Sequence, residues 1–223
     1  TQVLSSAASD VYKRQAINWG KIKTPEEFAK PCELAVRGLD ALLTYQDYPV
    51  KAAQNATEGR RPLGVGIINL AFWMAKNGMS YTQPNLEMID EFAEAWSYYL
   101  IKASADLAEE QGACLWSDQT KYHNGLTPNQ TYKQDVDELV AHKERMPWRE
   151  LRDQLKRTGI RNSTLMALMP AETSAQISNA TNGIEPPRSL VSVKQSKHGV
   201  LKQVVPSIHL SLIHISEPTR RLI

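Results

Sequence analysis

Apolar residues recur at three- and four-residue steps along two long stretches of the chain, and each stretch predicts a helix with one buried face. Phe28, Cys32, Ala35, Leu39 and Leu42 form the first stripe. Ahead of it, Thr24-Pro25-Glu26-Glu27 supplies a cap, a proline at the first helical position and a glutamate at the capping-box position. Pro31 interrupts the stripe; because an interior proline costs roughly 3 kcal/mol, the helix is expected to kink or begin there. Residues 87–111 carry the clearest pattern, with Ile89, Phe92, Trp96, Tyr99, Ala103 and Leu107 on one face and Gly112 where a C-cap belongs. A further helical pair, 131–143 and 148–157, is divided by Met146-Pro147 and stopped at Thr158-Gly159, and its alternating charges predict a solvated outer face.

Between the helices lie shorter apolar runs. Leu63–Ile68 reads as a strand and 69–76 as the helix after it, closed by Asn77-Gly78. Its Gly64-x-Gly66 lacks the third glycine and the downstream acid of a dinucleotide fingerprint, so that reading is rejected. Arg60 and Arg61 just before it are candidates to meet a phosphate, although a solvated or salt-bridged pair is the commoner role. The stretches from Tyr48-Pro49 to Gly59 and from Asp118 to Pro128 read as polar loops. Residues 165–169 are almost continuously apolar, which predicts a strand buried on both faces and ended by Pro170. Thr173 or Ser174 then caps a short helix, so that free amides and two hydroxyls point outward as an anion cradle; an ordinary capped strand-to-helix turn fits the same residues. Pro186-Pro187 holds the next segment extended, and 189–194 with 200–205 reads as a β-hairpin. Strands alternating with helices place the chain in the α/β class.

The run Arg161-Asn162-Ser163-Thr164, Leu168-Met169-Pro170-Ala171-Glu172-Thr173-Ser174 and Gln176-Ile177-Ser178-Asn179-Ala180-Thr181-Asn182-Gly183-Ile184-Glu185-Pro186-Pro187-Arg188 resembles the large, catalytic subunit of class I ribonucleoside-diphosphate reductases. Tyr45-Gln46-Asp47-Tyr48-Pro49, Gly59-Arg60-Arg61-Pro62-Leu63-Gly64-Val65-Gly66 and Glu110-Gln111-Gly112-Ala113-Cys114 resemble the same family in the same order. The resemblance implies part of a ten-stranded α/β barrel. It implies that Pro170, Ala171, Glu172, Thr173 and Ser174 bind the substrate diphosphate, through backbone amides and the hydroxyls of Thr173 and Ser174. Many members carry serine where this chain has Ala171, so one hydroxyl is absent while its amide remains; Glu172 is expected to face away from the phosphates.

The same resemblance implies thiyl-radical reduction of ribonucleoside diphosphates. It also implies a small radical-generating subunit that contains a metal, a homodimer partner, and ATP, dATP or dNTP effectors. The radical and redox cysteines fall outside the matched region, so Cys32 and Cys114 take no catalytic role and no cofactor is expected on these residues. A cobalamin-dependent or anaerobic reductase, or a non-catalytic phosphate-binding α/β module, is the alternative.

Residues 1–15 and 210–223 resemble two translated ends of one transposon-type sequencing adapter, which would leave 16–209 as the reductase segment. This changes the charge reading. The whole chain has 26 basic and 24 acidic residues, but the tails hold four of the former (Lys13, Arg14, Arg220, Arg221) and two of the latter (Asp10, Glu217). Twenty-two of each sign remain, and nothing in that balance points to nucleic acid or to a membrane surface. With no apolar stretch of bilayer length, the expectation is a cytoplasmic protein. Cys32 and Cys114 show no paired spacing, and His123, His142 and His198 are scattered, so no metal site is expected.

Overall fold

The computed structural model describes residues 13–139, 143–187, 189–196, 199–206 and 208. Of the two expected tails, 1–12 and 210–223 lie outside the described residues, as do His142, Arg188 and His198. Lys13 already belongs to the first strand, β1 (Lys13–Asn18). The chain divides into two compact units, one built mainly from Thr24–Val65 and Leu86–Ala167, the other from Ala16–Lys23, Gly66–Asn85 and the chain from Leu168 onward.

In the first unit, a 3-10 turn at Pro25–Phe28 leads into α1 (Ala29–Tyr45). Pro31 sits in the first turn of α1, where backbone N–H groups have no helical partner, so the helix begins around it without a kink. The buried stripe is Phe28, Cys32, Val36, Leu39 and Leu43; Leu42, expected in it, is exposed. The stretch expected to be a polar loop instead holds a second helix, α2 (Lys51–Arg60). Alanine-rich sequence and the bonds Lys51 to Gln54 (3.0 Å) and Gln54 to Glu58 (2.6 Å) support α2 without an apolar stripe. Arg61, in left-handed conformation, ends it.

Strand β2 (Leu63–Ile68) is buried at every position and forms a two-stranded sheet with β1. After α3 (Leu70–Lys76), the 26-residue α4 (Leu86–Gln111) forms the spine of the first unit and receives the buried face of α1. Phe28 meets Phe92 edge-on at 6.0 Å, and the Cys32 thiol lies 3.8 Å from the Trp96 carbonyl. Gly112 follows at φ +85°, as a C-terminal glycine should.

Among the described residues of the predicted 131–143 helix there is no continuous helix: Thr131 ends a single turn, α5 (Pro128–Thr131), and a 3-10 turn follows at Gln134–Glu138. Residues 135–139 are exposed, so no buried face is there to offset the cost of helix nucleation. The expected loop at 118–128 contains two short 3-10 turns. Helix α6 (Trp148–Thr158) buries Trp148, Leu151 and Leu155 and stops at Gly159, φ +73°.

The expected strand at 165–169 is reduced to one parallel bridge between Val65 and Met166, with Leu63 N, Val65 N and Ala167 N as donors to Thr164 O, Leu165 O and Val65 O. Only Leu165 is fully buried, and Leu168 is 61% exposed. An apolar run shows that a strand would be compatible but not whether neighbours flank it on both sides; among the described residues only β2 does.

In the second unit, Trp19 and Trp73 meet edge-on at 5.4 Å, and α7 (Glu172–Ile177) follows the turn at Pro170. Strands β3 (Val191–Ser196) and β4 (Gly199–Val204) pair antiparallel, with Val191 opposite Val204 and Ser196 opposite Gly199. Among the described residues the strands form two two-stranded sheets and no closed barrel. No described helix is long and apolar enough to cross a membrane.

Candidate functional site

Helix α7 is held by small apolar side chains. Ala175 and Ala180 are buried against Ile68, with Ala16 and Ala171 packed beside them. The first backbone bond of the helix runs from Ala175 N to Ala171 O, 2.9 Å, so the amides of residues 172–174 precede the helical ladder. At the other end, Asn179 turns left-handed (φ +46°) and Ala180 N returns to Ala175 O at 2.8 Å.

The cap differs from the expectation. Ala171 is the N-cap, with no side chain to offer, and Thr173 and Ser174 lie inside the first turn. A proline at 170 and a tight approach to residues 180–182 start the helix two residues earlier than hydroxyl capping preferences suggest. Ser174 is exposed; the side chain of Thr173 lies outside the described part of the structure. The Ala171 amide, expected to remain available to phosphate, is donated to Asn182 Oδ1 at 2.9 Å.

Residues 180–182 are themselves fixed by Asn69, which the sequence pattern marks only as the opening of a helix. Asn69 N donates to Thr181 O at 2.8 Å, and Asn69 Oδ1 accepts Thr181 N at 2.9 Å. Its Nδ2 donates to Asn18 Oδ1 at 2.9 Å. Asn69 is buried and left-handed (φ +68°), a conformation that asparagine tolerates better than most side chains. Gly20 completes the fit, because a Cβ there would stand 2.3 Å from Asn69 Nδ2.

A cavity of about 590 Å³ adjoins the turn, with Pro170, Glu172, Thr181, Asn182, Glu185 and Pro187 among its walls. Its volume suits a small-molecule site. Its described lining carries two carboxylates, Glu172 and Glu185, while Arg188, next in sequence to Pro187, lies outside the described residues. Glu172, expected to face away, is part of this wall.

Arg60 and Arg61, the other candidates for a phosphate contact, are engaged elsewhere. Arg61 pairs with buried Asp40 at 2.6 Å, and Arg60 lies over the Trp116 ring at 5.5 Å. Cys32 and Cys114 are buried free thiols, and burial pushes both above the usual thiol range, which favours the protonated form. Among the described residues no group of three His, Cys, Asp or Glu side chains is placed to hold a metal ion.

Residues 14–222 match the family model described as "Ribonucleotide reductase, barrel domain". The chain is 53% identical over 192 residues to the ribonucleoside-diphosphate reductase subunit alpha of Haemophilus influenzae, covering 86% of this chain and 25% of that protein. It is 55% identical over 165 residues to ribonucleoside-diphosphate reductase 1 subunit alpha of Salmonella typhimurium, covering 74% of this chain and 22% of the relative. The corresponding protein of enterobacteria phage T4 is 49% identical over 176 residues, 79% of this chain and 23% of its own length. The chain thus spans about a quarter of the length of these relatives.

Proposed function

The chain belongs to the ribonucleotide reductase barrel-domain family, and on that basis we propose that the whole protein is a cytoplasmic ribonucleoside-diphosphate reductase large subunit in which Pro170–Ser174 holds the substrate diphosphate. The observation that carries this reading is half-identity to named alpha subunits over most of the chain. In the proposed reaction the 2′-hydroxyl of the ribose leaves as water while a cysteine pair is oxidised to a disulfide. A cysteine thiyl radical starts the reaction, and a separate metal-containing subunit generates it. Nucleotide effectors and a homodimer partner belong to the same proposal.

This chain's part is positioning. Buried Cys32 and Cys114 match no catalytic position of the family and are assigned no share in the proposed redox chemistry. The turn at 170–174 offers backbone N–H groups ahead of the first bond of α7 and the Ser174 hydroxyl at the surface. These groups are the proposed donors to the phosphate oxygens.

The test is CDP binding and steady-state reduction by a full-length reductase that carries this segment. Ser174→Ala removes a hydrogen bond to a charged group, a type worth roughly 1.5–3 kcal/mol, and is expected to raise KM at least about ten-fold with a smaller effect on kcat. Thr173→Ala is expected to act in the same direction. Unchanged KM in both variants would remove the hydroxyls from the site.

A further inference from the structure

We propose that Asn69 and Asn182 are positioning residues for the diphosphate turn, acting as a two-step clamp that sets the direction of the first turn of α7. The inference rests on the assignment of Pro170–Ser174 as the diphosphate site, and it goes further by naming what fixes that turn.

Helix α7 has six residues and no side-chain cap at its N-terminus, so it is too short to hold its own geometry. That geometry is imposed by the returning segment 179–182, which contacts the helix twice: Ala180 N bonds Ala175 O, and Asn182 Oδ1 accepts Ala171 N. The second bond matters more for orientation, because Ala171 is the residue from which residues 172–174 depart. Asn182 therefore ties down the N-cap residue itself from eleven residues away and leaves the amides of 172–174 ahead of the helical ladder.

An exposed asparagine on a loop holds a direction only if the loop is fixed, and Asn69 fixes it. Its backbone N–H and its side-chain oxygen engage the carbonyl and amide of Thr181, the residue next to Asn182, as a strand partner would. The carboxamide is itself oriented by the Asn18 bond and enclosed by Gly20. Asparagine alone satisfies these demands together: it accepts the left-handed φ, offers an acceptor to Thr181 and offers a donor to Asn18. Glycine keeps the conformation and loses both bonds, while aspartate keeps the acceptor and loses the donor.

The experiment uses a full-length reductase carrying this segment, with KM and kcat for CDP reduction and the equilibrium Kd of CDP as readouts. Asn182→Ala is expected to raise both KM and Kd about ten-fold, with kcat changed less than about two-fold, because the phosphates lie away from the reacting carbon. Asn69→Gly is expected to do the same, and Asn69→Asp, which keeps the acceptor for Thr181 but loses the donor to Asn18, to recover only part of the loss. Because Asn182 is exposed, its variant keeps the question answerable even if Asn69→Gly does not fold. If the Asn variants bind CDP normally while Ser174→Ala does not, the clamp is wrong and the site stands. If Ser174→Ala, Thr173→Ala and the Asn variants all bind normally, the site assignment fails and the clamp falls with it. A loss of kcat at unchanged KM and Kd also overturns the clamp.

Discussion

Arg61 donates from Nε to Asp40 Oδ1 at 2.6 Å, with only 10% of the arginine side chain and 4% of the aspartate side chain exposed. Asp40 also accepts Asn162 Nδ2 at 2.9 Å and Arg161 Nε at 3.3 Å, while Arg61 reaches the Asp40 carbonyl and the Thr44 hydroxyl. Asn162 closes the circuit through the Arg61 carbonyl and the buried Ser104 hydroxyl. These bonds tie α1, the turn between α2 and β2, α4 and the segment after α6 together inside the first unit.

Removing one partner strands the other charge out of water. Asp40→Ala is therefore expected to destabilise the first unit by about 3–5 kcal/mol, more than any single surface pair. Arg61→Ala is expected to fall in the same range, and the double variant to cost about as much as either single change, far less than their sum. Urea unfolding of the four proteins measures this. Strict additivity would show that the pair does not act as a unit.

The glycines of the first unit make opposite demands. Gly38 lies within α1, and a Cβ added there would meet nothing within 4 Å, so Gly38→Ala is expected to stabilise by roughly 0.5–1 kcal/mol through helix propensity. Gly59 lies within α2, and a Cβ there would stand 2.7 Å from three atoms of the Trp116 ring. Trp116 N also donates to Gly59 O at 2.8 Å, so the ring has little freedom to retreat. Gly59→Ala is expected to cost about 1–3 kcal/mol. Thermal unfolding of the two variants should move Tm in opposite directions.

Whether an element is legible in the sequence depends on whether its burial leaves a periodic trace. Helices α4 and α6 show apolar stripes because each packs against the core, α4 with buried residues on more than one side, and both fall where the pattern places them. Helix α2 buries only Thr57 and Gly59, neither of them apolar in the usual sense, so hydrophobic pattern could not reveal it. The apolar run at 165–169 misleads for the opposite reason: composition reports tolerance for burial, and exposed Leu168 shows tolerance unused. At the candidate site, the turn at 170–174 stands out by its motif, but Asn69 and Asn182 act across 112 and 11 residues. A lone asparagine gives no local sign of such a partner. Its place at a strand-to-helix junction, where a left-handed residue can turn the chain, is the nearest available hint.

Burial also sets an alkaline limit on stability. Desolvation pushes the Tyr98 and Tyr122 phenols from 10 up to about 12. Below pH 10 both are protonated in folded and unfolded chains alike, and they give no pH dependence. Between pH 10 and 12 the unfolded chain loses these protons first, so stability falls by as much as about 1.4 kcal/mol per pH unit for each group. Tyr122→Phe is expected to flatten that decline by its share. Urea unfolding between pH 9 and 12, with phenolate absorbance followed in parallel, checks the sign; an alkaline slope unchanged in the Phe variant would exclude Tyr122 as a source.

The carboxylates beside the turn at 170–174 give a test of the proposed diphosphate site. Glu172 and Glu185 line the same cavity as Pro170 and Asn182. Both glutamates are exposed, so water screens their charge. At a separation on the order of 8 Å in a medium close to water, each contributes only about 0.5 kcal/mol of repulsion toward one phosphate charge. Glu172→Gln and Glu185→Gln are therefore each expected to tighten CDP binding about two-fold, in contrast to the ten-fold weakening expected for Ser174→Ala. Salt separates this effect from altered packing. With a Debye length of about 10 Å at 0.1 M and 3 Å at 1 M ionic strength, the gain should be present at the lower concentration and nearly gone at the higher. Binding isotherms at the two salt concentrations decide the point. A gain that persists at high salt would mean that the glutamine changes the shape of the turn, and equal affinity at both concentrations for all variants would place the phosphates away from this acidic wall.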